Sequence, residues 1–255
     1  MNVIACYKIV PYEQSISIAA DRSLNLDKAE LMIGQYDLNA VEAGAQLVEK
    51  VGGELVALTV GSAEVENSKQ RKAILSRGPA KCITVNDASF AGADSSAISA
   101  ALADSVKKIG DFDLVLCGEG SSDLYAQQVG VQLGERLGLP TINGVNSIVP
   151  EDGSVLIERV ADGETETLRV KLPAVLAVSS SINTTRVPSM KDILAAGKKP
   201  FSAWNSADVP AADKKATETV SVLAPEQTAR KGQLFTGDSA ETLTAFAAAV
   251  RAELK

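Results

Sequence analysis

Short apolar runs alternate with amphipathic runs over the first two hundred residues of the chain. The apolar runs have the length and β-branched content of buried strands, and they lie at residues 3–10, 55–60, 82–85, 112–117 and 173–178. The runs between them repeat apolar positions at helical spacing, which predicts helices around residues 38–48 and over 65–77, 95–109 and 124–137. Strands alternating with helices predict an α/β fold with a Rossmann-like parallel sheet covered on both faces.

Capping residues indicate where these helices begin. Asp37 or Asn39 is the expected N-cap of the first helix, because short polar side chains accept the free amides of a first helical turn. Asp123 is expected to cap the helix over 124–137, rather than to face a bound anion.

The pattern changes after residue 138. Turn signals at residues 150–153 and at Asp162-Gly163 separate short strands over 147–149, 155–160 and 167–172, which predicts a β-hairpin insertion. A short helix is expected over 190–196. From Lys198 the pattern weakens until an amphipathic helix over 240–254, which we interpret as an arm that embraces a partner subunit; a flexible linker with a self-packing helix is the alternative. The predicted division is 1–197, a nucleotide-binding α/β domain, and 198–255, the C-terminal arm.

Charge and composition exclude several classes of function. The 32 acidic and 25 basic residues give a formal charge of −7, which disfavours nucleic acid as a partner. No apolar run approaches the about 20 residues of a membrane span, and the N-terminal segment lacks the features of a signal peptide, so we expect a cytoplasmic protein. Cys6, Cys82 and Cys117 lack CxxC spacing and are expected to be free, buried thiols.

Histidine is absent from the sequence, which removes the commonest general base and the usual zinc ligand. We therefore expect no catalytic side chain and no metal site in this chain. Any chemistry in which the protein takes part is expected to come from a bound cofactor.

The segment over residues 112–130 carries the main candidate site. A buried strand runs into a glycine- and serine-rich turn, Gly118–Ser122, and then into an expected helix. Free first-turn amides and the helix dipole together favour a phosphate group there. Ser121 and Ser122 offer hydroxyl donors, and Gln127 and Gln128 lie one turn further on. The alternative is a turn that only connects a strand to its helix.

Two further strand ends complete the expected site, because ligands of open α/β sheets bind beyond the carboxyl ends of the strands. Cys6 and Val60 are candidate walls for an adenine ring, and the backbone of residues 34–37 is a candidate contact for its polar edge. Plain core packing is the alternative for both side chains. We expect Glu119 to point to solvent or to a cation of a partner.

Three segments carry a family resemblance. They are IERVADGETETLRVKLPAVLA at 157–177, the loop over 118–130, and RVPSMK with AAGKKP at 186–191 and 195–200. Together they resemble the electron transfer flavoprotein beta subunit, and QYDLNAVEA, ILSRGP and SSDLYAQQVG are closest to its bacterial Fix or carnitine-type branch. The likeness covers most of residues 1–200.

The resemblance implies a heterodimer with an alpha subunit that holds most of the redox FAD. It implies AMP in this chain or, in branches that split electron pairs, a second FAD that accepts hydride from NADH; the sequence leaves these two open. Met190 is implied to dock into an acyl-CoA dehydrogenase-like or crotonobetainyl-CoA reductase-like protein, and a quinone oxidoreductase is a further implied partner. The implied cofactor-binding residues are Cys6, Gly34, Gln35, Tyr36, Asp37, Val60, Gly118, Glu119, Gly120, Ser121, Ser122, Asp123, Leu124, Tyr125, Ala126, Gln127, Gln128 and Val129.

Two other functions compete with that of an electron carrier. An ATP-consuming ligase of the same architecture would need an SGGxDS-like loop, whereas the first strand here leads into Pro11-Tyr12-Glu13. A nucleotide-sensing homodimer would account neither for the segment over 157–173 nor for the C-terminal arm. We expect a carrier rather than a stand-alone enzyme, with NADH oxidation only if it splits electron pairs.

Overall fold

The computed structural model describes residues 1–210, 215–227 and 229–254, and the rest of the predicted arm lies outside the described residues. The strands are β1 (Val3–Cys6), β2 (Ile9–Pro11), β3 (Ser17–Ile18), β4 (Leu24–Asn25), β5 (Leu31–Ile33), β6 (Leu55–Gly61), β7 (Lys81–Asn86), β8 (Leu114–Gly118), β9 (Thr141–Glu151), β10 (Ser154–Ala161), β11 (Glu164–Lys171), β12 (Ala174–Val178) and β13 (Phe201–Trp204). The helices are α1 (Gln35–Val51), α2 (Ser68–Leu75), α3 (Ser95–Ile109), α4 (Val129–Leu137), α5 (Met190–Ala196) and α6 (Ala240–Glu253).

One large sheet in the described chain has the strand order β11-β10-β9-β12-β8-β1-β6-β7-β13. Strands β12, β8, β1, β6, β7 and β13 pair in parallel, and the first half of β9 pairs parallel to β12. This arrangement confirms the predicted Rossmann-like α/β fold. Strands β10 and β11 extend the sheet antiparallel to β9, and Asp162 and Gly163, both at positive φ, form the expected tight turn between them.

Helices cover both faces of the central strands. Side chains of β1 alternate between the faces: Val3 packs in a cluster with Val41 of α1 and Ile74 of α2, whereas Ile4 packs in a cluster with Leu102 of α3. Leu133 of α4 lies on the α3 side and Ala196 of α5 on the α1 side. The central strands are buried on both faces, which explains their unbroken apolar runs.

Several predicted boundaries are wrong. The expected strand over 3–10 is divided, because the chain leaves the main sheet after β1, and β2 pairs with β5 in a separate two-stranded sheet. The helix expected over 65–77 is α2, which Asn67 caps by accepting the amides of Lys69 and Gln70. The helix expected over 124–137 is α4, which begins only at Val129. Strand β13, at the edge beside β7, was not predicted.

The C-terminal segment crosses the molecule from the start of α3 towards β4. The Asp94 carboxylate accepts the amides of Ala216 and Thr217, and Ser23 forms an isolated bridge with Leu223. Helix α6 contains no buried residue, and Phe235 packs edge-on against its Phe246. Among the described residues, no helix combines the length and apolarity that a membrane crossing requires.

Candidate functional site

The chain changes direction across the sheet between the carboxyl ends of β1 and β8, and we refer to this end of the two strands as the crevice. These two strands are parallel neighbours. The helix that follows β1, α1, packs on one face of the sheet, whereas α4, which follows β8, packs on the other. In open α/β sheets such a switch point leaves a cleft between the two diverging connections, and ligands bind there.

Two thiols form the floor of the crevice. Cys6 ends β1 and Cys117 lies in the neighbouring strand β8, and their buried side chains pack side by side in one apolar cluster. This contact, together with burial, raises the pKa of the Cys6 thiol well above its usual range, so the thiol stays protonated at neutral pH. Val60 packs in the same cluster as both cysteines. All three cysteines are free and buried, which confirms the prediction.

The Asp37 carboxylate joins three elements at the mouth of the crevice. It accepts the backbone N–H of Lys8 at 2.8 Å and that of Gly118 at 3.3 Å. Burial raises its pKa to about 7, although these two hydrogen bonds oppose the rise. The prediction that Asp37 or Asn39 caps α1 is wrong, because Gly34 is the N-cap and Asp37 is the third helical residue.

The loop after β8, residues 119–128, presents unpaired amides. The N–H of Gly118 bonds to Asp37 and that of Glu119 bonds to the carbonyl of Val178 at 2.9 Å. In the described chain, the four amides of residues 120–123 donate to no protein group. These unpaired amides lie in the loop, within and just after the predicted turn over 118–122, and not at the N-terminus of α4, which begins only at Val129.

Asp123 does not cap a helix, contrary to prediction. Its carboxylate forms an ion pair with the Lys8 ammonium at 2.5 Å. Burial raises the pKa of Asp123, but hydrogen bonds from Lys8 and Ser121 outweigh burial and hold the pKa below its usual range. Lys8 thus lies among the predicted site residues, although the sequence pattern did not indicate it; its only signal was a basic side chain two positions beyond the end of β1.

Aromatic packing holds the loop in shape. The rings of Tyr36 and Tyr125 lie 5.3 Å apart between centroids, and the Tyr125 hydroxyl donates to the Glu119 carboxylate at 3.0 Å. That hydrogen bond is the main reason why the pKa of Tyr125 rises to about 12. Glu119 is half-buried, and its carboxylate is hydrogen-bonded within the loop. That it points to solvent or to a cation of a partner stays a prediction.

Gly118 and Gly120 are required by packing within the protein. A Cβ on Gly118 would lie 2.7 Å from the Asp37 carboxylate and 2.8 Å from the Tyr36 carbonyl carbon. A Cβ on Gly120 would lie 2.5 Å from the Tyr125 ring. Both glycines thus let the loop close against α1 and against itself, a role that sequence reasoning had given to the approach of a phosphate.

The other predicted residues belong to the same two segments. Gln128 accepts the Ser95 hydroxyl at 2.6 Å, which ties the end of the loop to α3, and Gln127 has a positive φ of 55°. Gln35, Ser122, Leu124 and Ala126 are exposed, whereas Ser121 and Val129 are half-buried. The structure therefore brings the three predicted clusters to one end of the sheet.

Met190 lies away from the crevice, on α5. It is 72% exposed, and the neighbouring Val187 and Leu194 are 92% and 71% exposed. Ser189 and Asp192 form a reciprocal capping box that fixes the start of this helix. The three apolar side chains form an exposed patch, which is a common feature of surfaces that bind another protein.

The crevice has the features that an anionic nucleotide requires. Four unpaired amides and the Lys8 ammonium offer donors to phosphate, and buried apolar side chains line the strand ends. The three nearby acids already have partners: Asp123 pairs with Lys8, Glu119 accepts the Tyr125 hydroxyl, and Asp37 accepts the amides of Lys8 and Gly118.

The chain matches the family model described as "Electron transfer flavoprotein domain" over residues 24–209, which is well over half of its length. The matched region includes the loop after β8, the hairpin and α5, and it begins after β1. The match supports an electron-transfer role, an association with flavin, and work with partner subunits and dehydrogenases.

Proposed function

This chain belongs to the electron transfer flavoprotein family, and we propose that within the family it is the beta subunit of the bacterial Fix or carnitine-type branch. It forms a heterodimer with an alpha subunit. Support comes from the segment over 157–177, which spans β10, β11 and β12 and ends beside the crevice. The residues before α5 and the basic pair after it, Lys198 and Lys199, add to that likeness.

The proposed ligand of the crevice is AMP or, in its place, a second FAD. The four free amides over residues 120–123, beside the Lys8 ammonium, are the observation that carries this proposal. They hold the phosphates, while Cys6 and Val60 contact the adenine ring and exclude water from it. The backbone over 34–37 contacts the polar edge of the ring. A bound FAD supplies the capacity to accept and donate electrons, which this histidine-free side-chain set lacks.

The apolar patch of Val187, Met190 and Leu194 is the proposed docking surface for an electron partner. An acyl-CoA dehydrogenase-like or crotonobetainyl-CoA reductase-like protein fits this role, with a quinone oxidoreductase as a further partner. Methionine suits such a contact because its flexible thioether adapts to different pockets. Met190→Glu is expected to lower the rate of electron delivery while leaving the flavin content unchanged. Loss of flavin in that variant would instead indicate a structural role.

We propose that residues 198–255 form an arm whose first strand, β13, completes the main sheet and whose later part embraces the alpha subunit, whereas residues 1–197 carry the nucleotide. Helix α6 supports this proposal because Leu243, Phe246 and Val250 are 58%, 51% and 40% exposed along one face. A helix that buries so little against its own chain gains little stability until a partner covers it.

The deciding experiment is to co-express the chain with the product of its neighbouring gene and to count the nucleotides extracted from the purified complex. One FAD and one AMP per complex would support simple electron relay. Two FAD would support the splitting of electron pairs from NADH. A complex without flavin, or a chain that purifies only with itself, would overturn the electron-carrier proposal and favour a nucleotide-sensing homodimer.

A further inference from the structure

The segment between β12 and α5, residues 179–189, has no regular secondary structure, yet side chains of α1 hold it firmly. The Asn39 amide donates to the carbonyl oxygen and to the side-chain oxygen of Asn183, both at 3.0 Å. The Asn183 amide returns a bond to the Asn39 carbonyl at 3.0 Å. This reciprocal pair fixes the first half of the segment against the helix.

Arg186 fixes the second half through two glutamates of the same helix. Its guanidinium donates to Glu42 at 2.7 and 3.1 Å and to Glu49 at 2.6 and 3.2 Å. Its backbone N–H also donates to Glu42, at 3.2 Å. The guanidinium alone thus makes four hydrogen bonds to two carboxylates, a geometry that its planar fork allows and a lysine does not.

The burial of Glu42 makes this contact different from a surface ion pair. Glu42 is only 5% exposed, whereas Glu49 is largely exposed. Burial raises the pKa of Glu42, but hydrogen bonds from Arg186 and Gln46 outweigh it and hold the pKa below its usual range. A charge pair with one buried member favours a single arrangement, because breaking it leaves the buried carboxylate without its cation.

Helix α1 therefore links two surfaces of the molecule. Its first turn carries Asp37 at the crevice, and Glu42 lies five residues further on, about 7.5 Å along the axis. Arg186 in turn lies four residues before Met190. The same rigid helix thus sets where the patch of Val187, Met190 and Leu194 stands relative to the crevice.

We propose that Arg186 is a positioning residue that, through Glu42 and Glu49, holds this apolar patch in the orientation that binds the electron partner. The proposal rests on the docking role given above to Met190. Ordering the segment in advance spares the complex the entropy of fixing it during association, which increases affinity without adding a contact.

A spin-label measurement tests the orientation directly. All three native cysteines are buried, so cysteines introduced at the exposed positions Lys191 and Lys107 can be labelled selectively. In Arg186→Gln the distribution of distances between the two labels is expected to broaden about twofold, because the segment then samples several orientations. Arg169→Gln is the matched control, since Arg169 makes a comparable two-bond ion pair with Glu151 on the hairpin. An unchanged distribution in Arg186→Gln would overturn the proposal.

Kinetics of the co-expressed complex test the consequence. With an acyl-CoA dehydrogenase as the varied substrate, Arg186→Gln is expected to raise KM about tenfold, equivalent to about 1.4 kcal/mol, with kcat and flavin content unchanged. The double variant Glu42→Gln, Arg186→Gln replaces both charged groups by neutral amides, so that no buried carboxylate is left without its cation. Its KM is expected to rise similarly. Arg186→Lys is expected to restore part of the affinity.

The two proposals fail in distinguishable ways. If Met190→Glu leaves KM for the dehydrogenase unchanged, the docking role itself is wrong. If Met190→Glu raises KM but Arg186→Gln behaves like Arg169→Gln, only the positioning role is wrong. A positioning role also requires that Arg186→Gln has little further effect on KM in a Met190→Ala background, because both changes then act through the same contact. Full additivity would contradict it.

Discussion

Asp37 is a buried carboxyl group whose pKa the fold shifts strongly, and its replacement by asparagine gives a quantitative test. Burial raises its pKa in the folded chain to about 7, against hydrogen bonds from Lys8 and Gly118. In the unfolded chain the group titrates near its ordinary value of about 3.9. At any pH between these two pKa values, folding is therefore accompanied by the uptake of a proton by Asp37. The stability that the neutral acid contributes is complete below about pH 4 and is lost as the pH rises through about 7.

The size of the effect follows from the interval between the two pKa values. Each unit corresponds to about 1.4 kcal/mol, so about three units give roughly 4 kcal/mol between pH 4 and pH 7. Asparagine keeps one oxygen acceptor and does not titrate. We therefore compare the free energies of unfolding of the native protein and of Asp37→Asn at each pH. The difference, native minus variant, is expected to fall by roughly 4 kcal/mol as the pH rises from 4 to 7.

Urea unfolding followed by circular dichroism at half-unit steps of pH measures that difference. Asp87→Asn is the control, because hydrogen bonds from Ser206 and Ser89 lower the pKa of Asp87 to about 2. The stabilising effect of the Asp87 carboxylate is complete above the ordinary pKa of an aspartate and is lost only as the pH falls towards 2. The difference in free energy of unfolding between the native protein and Asp87→Asn is therefore expected to stay constant from pH 4.5 to 8. A level profile for Asp37→Asn as well would refute the reasoning about its burial.

Three other changes probe the loop and the arm. Gly118→Ala places a Cβ 2.7 Å from the Asp37 carboxylate and is expected to cost about 1–3 kcal/mol in urea unfolding; Gly197→Ala, whose Cβ approaches nothing closer than 3.7 Å, should leave the midpoint unchanged. Glu119→Arg adds a cation beside the free amides, so AMP affinity by calorimetry should be kept or increased; a large loss would mean that the loop faces the other way. Phe246→Asp should abolish co-purification with the alpha subunit without shifting the unfolding midpoint of the chain, whereas wild-type recovery would remove α6 from that interface.

Strands, helices and turns that are determined by their own local sequence could be predicted. Strand β8 is buried on both faces, so its apolar run is unbroken. The helix over 190–196 has the predicted bounds, because Ser189 and Asp192 form a capping box three residues apart. The Asp162-Gly163 turn also follows from local chemistry, since both residues tolerate positive φ.

Features that depend on distant contacts could not be predicted. Nothing near Asp37 in the sequence indicates that the amides of Lys8 and Gly118 converge on it. The run Leu-Tyr-Ala-Gln-Gln favours a helix locally, but Tyr125 adopts a positive φ and packs its ring against Tyr36, far away in sequence. Tertiary contacts outweigh intrinsic propensity there. The positions of the site residues were thus easier to predict than the roles of their side chains.

The four-residue strand β13 has a consequence for any shortened form of the protein. It pairs with β7 from Cys82 to Val85 and so covers the last edge of the main sheet on that side. Val209, 1% exposed, packs in the same cluster as Trp204, the last residue of β13, and so holds this strand against the sheet. Removing the chain from residue 198 onward would leave the hydrogen-bonding groups of β7 open to a second molecule, and such a fragment is expected to self-associate edge to edge.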